Sequence, residues 1–167
     1  MKNIIIIGVP GAGKSTLGVI LAKTLGMKFT DTDIVIQEHT GRLLQDIIDA
    51  NGINVFKKTE EDAILSLHCR NTVIATGGSV VFSEKAMEHL KSEGIVVYLK
   101  ISLDEMVHRI NNITTRGIVL GPGQSLANMY NERIPFYEKY ADISIDCSGD
   151  FEDVFGKVIE ELSRVQR

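Results

Sequence analysis

Gly8-Val9-Pro10-Gly11-Ala12-Gly13-Lys14-Ser15-Thr16 follows the apolar run Ile4-Ile5-Ile6-Ile7 directly and leads into Leu17, Ile20, Leu21 and Leu25 at helical spacing. A buried strand, a glycine-rich turn and an amphipathic helix in that order read as a phosphate-binding P-loop. Gly, four residues, then Gly-Lys-Ser leaves bare backbone N–H groups to wrap a polyphosphate, and the helix N-terminus directs partial positive charge at the same anion. The expected ligand is a nucleoside triphosphate. Gly11, Ala12 and Gly13 line its phosphates, Lys14 reaches the outer ones, Ser15 ligates Mg²⁺ and Thr16 sits near the inner phosphates. A plain glycine turn is the competing reading, and the flanking strand and helix argue against it.

Working outward, strand-like runs occur at Asn3–Gly8, Thr72–Thr76, Gly94–Lys100 and Ile143–Asp146, with a short one at Lys28–Thr30. Helical patterns separate them, which implies an α/β fold: a parallel sheet with helices on both faces. Ser102 and Glu105 offer a capping box before the stripe Leu103, Met106, Val107 and Ile110. In the last helix Phe155, Val158, Ile159 and Leu162 form the apolar face. Residues 111–125, rich in Asn, Thr and Gly, read as a mobile loop. Beside a P-loop such a loop is a candidate lid, because phosphoryl transfer requires exclusion of water.

One domain spanning 1–167 is expected, since 167 residues at 44% apolar content fill one core and not two. A net charge of −4 argues against a nucleic-acid partner. The first apolar run is too short for a signal peptide or a membrane span, so a cytoplasmic location with no membrane partner is expected. Cys69 and Cys147 show no metal or redox spacing and are expected to be free buried thiols. His39, His68, His89 and His108 are scattered and read as ordinary helix or surface residues. No exposed apolar stripe stands out, which suggests a monomer.

Phe29-Thr30-Asp31-Thr32-Asp33 ends the short second strand with two carboxylates, where such folds place ligands. On an extended backbone Asp31 and Asp33 project to one side. One can then support Mg²⁺ while the other accepts the proton of a hydroxyl being phosphorylated. A polar loop after a strand is the bland alternative.

Further segments follow in order: Asp33 to Gly41, Arg42 to Ile47, Phe56-Lys57-Lys58-Thr59-Glu60, Ala75-Thr76-Gly77-Gly78-Ser79-Val80-Val81, and Arg133-Ile134-Pro135-Phe136-Tyr137 through Asp142. In this order and spacing the chain resembles the shikimate kinases over nearly its whole length. The resemblance implies a three-layer α/β/α P-loop fold of the nucleoside-monophosphate-kinase type with a five-stranded parallel sheet. It also implies a substrate-binding helical region at about 33–60, a lid at about 111–125, and transfer of the ATP γ-phosphoryl group to the 3-hydroxyl of shikimate in aromatic amino-acid biosynthesis.

Residue by residue, the resemblance makes Asp33 the hydroxyl ligand and base and sets Asp31 near the magnesium. Gly77 and Gly78 match the first two residues of a triple glycine where the substrate ring lies close to the backbone. Arg133 matches the arginine that binds the substrate carboxylate, Arg116 the lid arginine that closes over the phosphates, and Arg109 an arginine packing near adenine. There are three departures. Lys57 stands in place of Arg, exchanging a planar fork for a point charge, with Lys58 adjacent but expected to point elsewhere. Ser79 stands in place of the third glycine, adding a hydroxyl that narrows the pocket or bonds a different substrate group. Gly117 replaces Pro after Arg116. Two rival readings remain at this point: a kinase for another small hydroxylated anion, re-specified by Lys57 and Ser79, and a non-catalytic nucleotide-binding module whose lid acts as a switch.

Overall fold

Four consecutive isoleucines favour an extended backbone because each is branched at Cβ, and a strand that is apolar at every position must be covered on both faces. β1 (Asn3–Ile7) meets both conditions: it is the middle strand, and Ile4 to Ile7 are fully buried. The computed structural model describes residues 1–111 and 118–165. After β1 come α1 (Lys14–Leu25), β2 (Lys28–Asp31), α2 (Thr32–Thr40), α3 (Leu44–Leu65) and β3 (Thr72–Ala75). A 3-10 turn (Val80–Phe82), α4 (Glu84–Ser92), β4 (Gly94–Lys100), α5 (Leu103–Asn111), α6 (Leu126–Tyr140), β5 (Ile143–Asp146) and α7 (Phe151–Val165) complete the order.

The sheet runs β2-β3-β1-β4-β5 with every pairing parallel, and Ile5 sits between Ile74 and Val96. All five expected strands form. β1 and β3 end one residue sooner than the sequence suggested and β2 one later. Gly8 ends β1 because its φ of 154° and the Leu99 carbonyl oxygen, 2.8 Å from where a Cβ would stand, admit only glycine.

At the opposite edge of the sheet the Asn3 amide donates to the Cys69 carbonyl at 2.7 Å and accepts from the Thr72 N–H at 3.0 Å, tying β1 to the start of β3. Gly94 opens β4 there, where a Cβ would lie 2.1 Å from Ile5 Cδ1 and 2.8 Å from the Asn3 carbonyl oxygen.

The helix patterns hold with two adjustments. α7 buries Val154, Val158 and Leu162, while Phe155 and Ile159 are partly covered. Ser102 caps α5 by accepting the Glu105 N–H at 3.1 Å, but the Glu105 carboxylate pairs with Arg109 at 2.6 Å, so only half of the expected capping box is made. Cys147 is buried as expected; Cys69 is half-buried, because the segment before β3 runs along the surface.

α2 and α3 build a second, smaller core of Ile36, Ile47, Phe56, Ala63 and Val119. α3 bends at Gly52 (φ 81°, ψ 171°), which lets its two halves wrap α2. Val119 belongs to the segment expected to be a mobile lid, yet it is buried in this core. Among the described residues no helix is long and apolar enough to cross a membrane.

Candidate active site

Parallel strands present their carboxyl ends to the same side, and three loops meet there: Gly8 to Gly13 after β1, Asp31 to Asp33 after β2, and Thr76 to Ser79 after β3. Gly11 (φ 80°) and Gly13 (φ 93°) take left-handed conformations that turn the P-loop into α1. The Lys14 ammonium, buried, donates to the carbonyls of Gly8 and Val9 at 2.8 and 2.9 Å and so is held across the loop. Ala12 is buried beneath the loop, and Thr16 lies exposed in the first turn of α1.

Asp31 couples this loop to the second one. Its Oδ2 accepts the Ser15 hydroxyl at 2.6 Å and its Oδ1 accepts the Asp33 N–H at 3.0 Å, which makes Asp31 the N-cap of α2. The two aspartates are therefore not both on extended backbone, as the sequence had suggested: Asp33 lies in the first helical turn, because Asp31 stops the strand by capping. Ser15 and Asp31 fit a magnesium ion, being adjacent hard oxygen donors. A hydroxyl that donates to Asp31 still has lone pairs for a cation. Among the described residues no group of three or more His, Cys, Asp or Glu could hold a metal, so most coordination would fall to substrate phosphates and water.

Asp33 faces a cleft shared with Lys14, Ser15, Glu60, Gly77 and Arg133. The glycines make room for side chains here. A Cβ at Gly77 would lie 2.7 Å from Glu60 Oε2 and 3.1 Å from Asp33 Oδ1; one at Gly78 would lie 2.8 Å from Arg133 Nη1 and 3.1 Å from Pro10 Cδ. Two residues given no role from sequence hold this turn: Thr32 Oγ1 accepts the Gly77 N–H at 3.1 Å, and the Tyr137 hydroxyl donates to the Gly78 carbonyl at 2.6 Å. Burial pushes the Tyr137 phenol well above its ordinary range, so it remains a donor.

Arg133 is only 2% exposed, so its charge is turned into the protein and not toward solvent. Its Nη2 donates to the Val119 carbonyl at 2.6 Å, its Nε has no partner, and its Cζ lies 5.7 Å from the Phe82 ring centre. Lys57 Nζ sits 4.5 Å over the same ring. The two cations thus converge on a cleft of about 470 Å³ bounded also by Val119, Pro122 and Gln124. Lys58 turns away to Glu61 and Asp62, as its helix position required. Phe82 had no signal in the sequence beyond its apolar character.

Ser79 is buried, and its hydroxyl donates to Glu60 Oε1 at 2.7 Å. The hydroxyl is thus engaged by a carboxylate from the second half of α3, and it keeps lone pairs with which to accept from a ligand. Burial raises the Glu60 carboxyl to about 7. The Ser79 hydrogen bond and the Arg133 and Lys57 charges oppose that rise, and Asp33 reinforces it. Glu60 was quoted within its segment but given no role from sequence.

Arg109 extends from α5, with Nε on Glu105 and Nη1 on the Gly11 carbonyl at 3.0 Å. It borders a cleft of about 700 Å³ with Tyr130 and the Asp146 to Gly149 turn, next to the P-loop. Cys147 lines it, with its thiol raised to about 11 by burial. Arg116 and Gly117 lie outside the described residues, as do 112–115.

A loop built to wrap phosphates at one end of a cleft, and a carboxylate with a buried arginine at the other, define a class: P-loop kinases that pass a phosphoryl group from a nucleotide to a small acceptor. The shikimate kinase family model matches residues 10–163, and the chain belongs to that family. It is 37% identical to a shikimate kinase from Thermodesulfovibrio yellowstonii, with 99% of this chain and 97% of that one covered. It is 38% identical to one from Actinobacillus succinogenes over 96% and 94%. A shikimate kinase from Acinetobacter baumannii, solved in complex with shikimate, superimposes with a TM-score of 0.87 at 30% identity, covering 98% of this chain and 94% of that one.

Proposed function

We propose that this chain transfers the γ-phosphoryl group of ATP to the 3-hydroxyl of shikimate. The observation that carries the reading is that one cleft is lined both by the phosphate-binding pair Lys14 and Ser15 and by Asp33 and Arg133. Donor and acceptor groups therefore share one space, which a nucleotide switch does not need.

In this reading Arg133 and Lys57 hold the acceptor carboxylate, and Gly77 and Gly78 let the ring approach the turn. Asp33 orients the hydroxyl and accepts its proton as the oxygen attacks phosphorus. Lys14 and Arg116 offset the charge on the transferring group, with backbone N–H groups of Gly11, Ala12 and Gly13, and Thr16, around the phosphates. Ser15 and Asp31 hold magnesium, which when bound neutralises the outer phosphates. Arg109 and the Asp146 to Gly149 turn flank the base, a role supported by their shared cleft beside the P-loop.

The space left inside the Asp33 cleft is about 50 Å³, room for a few water molecules. Acceptor entry therefore requires this cleft to widen, and in this reading residues 111–125 act as the lid that allows it. In this reading the enzyme acts as a monomer. Its use of ATP and a small acid supports a cytoplasmic place of work.

Lys57 remains a cation near Arg133, and the Ser79 hydroxyl is taken by Glu60, so neither departure favours a different acceptor. The test is a panel of hydroxylated carboxylates with Mg-ATP, the product's phosphate position being read by NMR. Shikimate phosphorylated at the 3-oxygen, with the highest kcat/KM of the panel, is the expected outcome; another acid preferred by tenfold or more would contradict the assignment.

A further inference from the structure

Glu60 is 3% exposed, and its Oε2 has no hydrogen-bond partner. That bare oxygen points at Gly77 beside Asp33, where a Cβ would touch both carboxylates. A buried carboxylate oxygen without a partner costs more than almost any other polar group, so such an atom facing a ligand cleft marks a place where a ligand donates. The other oxygen has one partner, Ser79. Lys57, one turn earlier on α3, gives Glu60 no ion pair and lies over Phe82 instead.

We propose that Ser79 is a positioning residue: its hydroxyl fixes the Glu60 carboxylate so that Oε2 faces the cleft and accepts a hydroxyl of the bound acceptor. The inference rests on the reading of this cleft as the acceptor site. Ser79 supplies what a glycine at this position cannot, a hydrogen bond to the buried carboxylate. It thereby favours the ionised form that can accept.

The groups facing Glu60 are Asp33 from α2, Lys57 from α3, Arg133 and Tyr137 from α6, and Ser79 after β3, with Lys14 lining the same cleft. With its carboxyl raised to about 7, Glu60 is part-protonated at neutral pH. Acceptor binding that needs the ionised form then strengthens as pH rises through that value. Removing the Ser79 hydroxyl takes away a group that holds the value down and moves the dependence to higher pH.

The test compares the intact enzyme with Ser79→Ala, Glu60→Gln and the double variant. The Glu60 carboxyl is titrated by ¹³C NMR without ligand, and kcat/KM for shikimate is measured from pH 6 to 9.5. Expected are a titration near neutrality that rises by about one pH unit in Ser79→Ala and a kcat/KM limb that moves with it. At pH 7 kcat/KM then falls about fivefold, chiefly through KM, and recovers above pH 9. Glu60→Gln should lose the limb, and Ser79→Ala should add nothing in that background. An unchanged Glu60 titration, or a loss in Ser79→Ala that is equal at all pH values, would overturn the proposal. If shikimate is not turned over at all, the functional reading fails, and the titration alone decides whether Ser79 holds Glu60.

Discussion

Two side chains of α3, Glu60 and Lys57, give the site its most testable features. A carboxyl raised from 4.5 to about 7 by burial keeps its proton in the folded state between those values, while the unfolded chain has lost it. The stability this confers is full below about pH 4.5 and is lost as pH rises through 7. A shift of that size corresponds to about 3 kcal/mol. Glu60→Gln cannot ionise, so its stability relative to the parent should improve by up to about 3 kcal/mol between pH 5 and pH 9 in urea unfolding. A difference constant across that range would mean that Glu60 titrates as an exposed carboxyl. Lys57 offers a point charge where a planar fork could grip a carboxylate at two atoms. Lys57→Arg should lower KM for shikimate about five- to tenfold with little change in kcat. An unchanged KM would remove Lys57 from the acceptor contacts.

Between the residues and the whole stand the strands and helices whose ends gather the site. Gly94 sets how closely β4 approaches β1, because a Cβ would collide with Ile5 Cδ1 and the Asn3 carbonyl. Gly94→Ala should destabilise the fold by about 1–3 kcal/mol, with a lower urea midpoint and an unchanged slope. Since the collision lies at the far edge of the sheet from the P-loop, kcat of the folded fraction should remain within about twofold of the parent. An unaltered midpoint would show that β4 has slack. These elements were legible in the sequence because their signals are local: four isoleucines, the P-loop spacing, the α7 stripe. Pairings that span long stretches of chain were not. Ser79 with Glu60, Tyr137 with Gly78 and Thr32 with Gly77 join residues 19, 59 and 45 positions apart. No periodicity encodes such contacts. Asp33 was legible as a carboxylate of the candidate site but not as helical, because the competition between strand and N-cap at Asp31 is settled by the Ser15 and Asp33 N–H partners together.

At the scale of the whole molecule, a strand order of β2-β3-β1-β4-β5 sets the P-loop in the middle of the carboxyl edge, with the β2 and β3 loops on one side and the β4 and β5 loops on the other. One side gathers Asp33, Glu60, Gly77 and Arg133; the other gathers Arg109 and the turn after β5. In the proposed reading the sheet thereby separates acceptor and nucleotide clefts and leaves the phosphate loop between them, which is the geometry that direct phosphoryl transfer requires. In that reading Asp33 is the residue at which the two halves act together. The most direct measurement is ADP release from Mg-ATP with and without shikimate, in the parent and in Asp33→Asn, with nucleotide binding followed separately. Shikimate-dependent turnover that falls at least a hundredfold in Asp33→Asn while ATP binding is retained is the predicted result. Full turnover in that variant, or no response to shikimate in protein that binds ATP, would contradict the account.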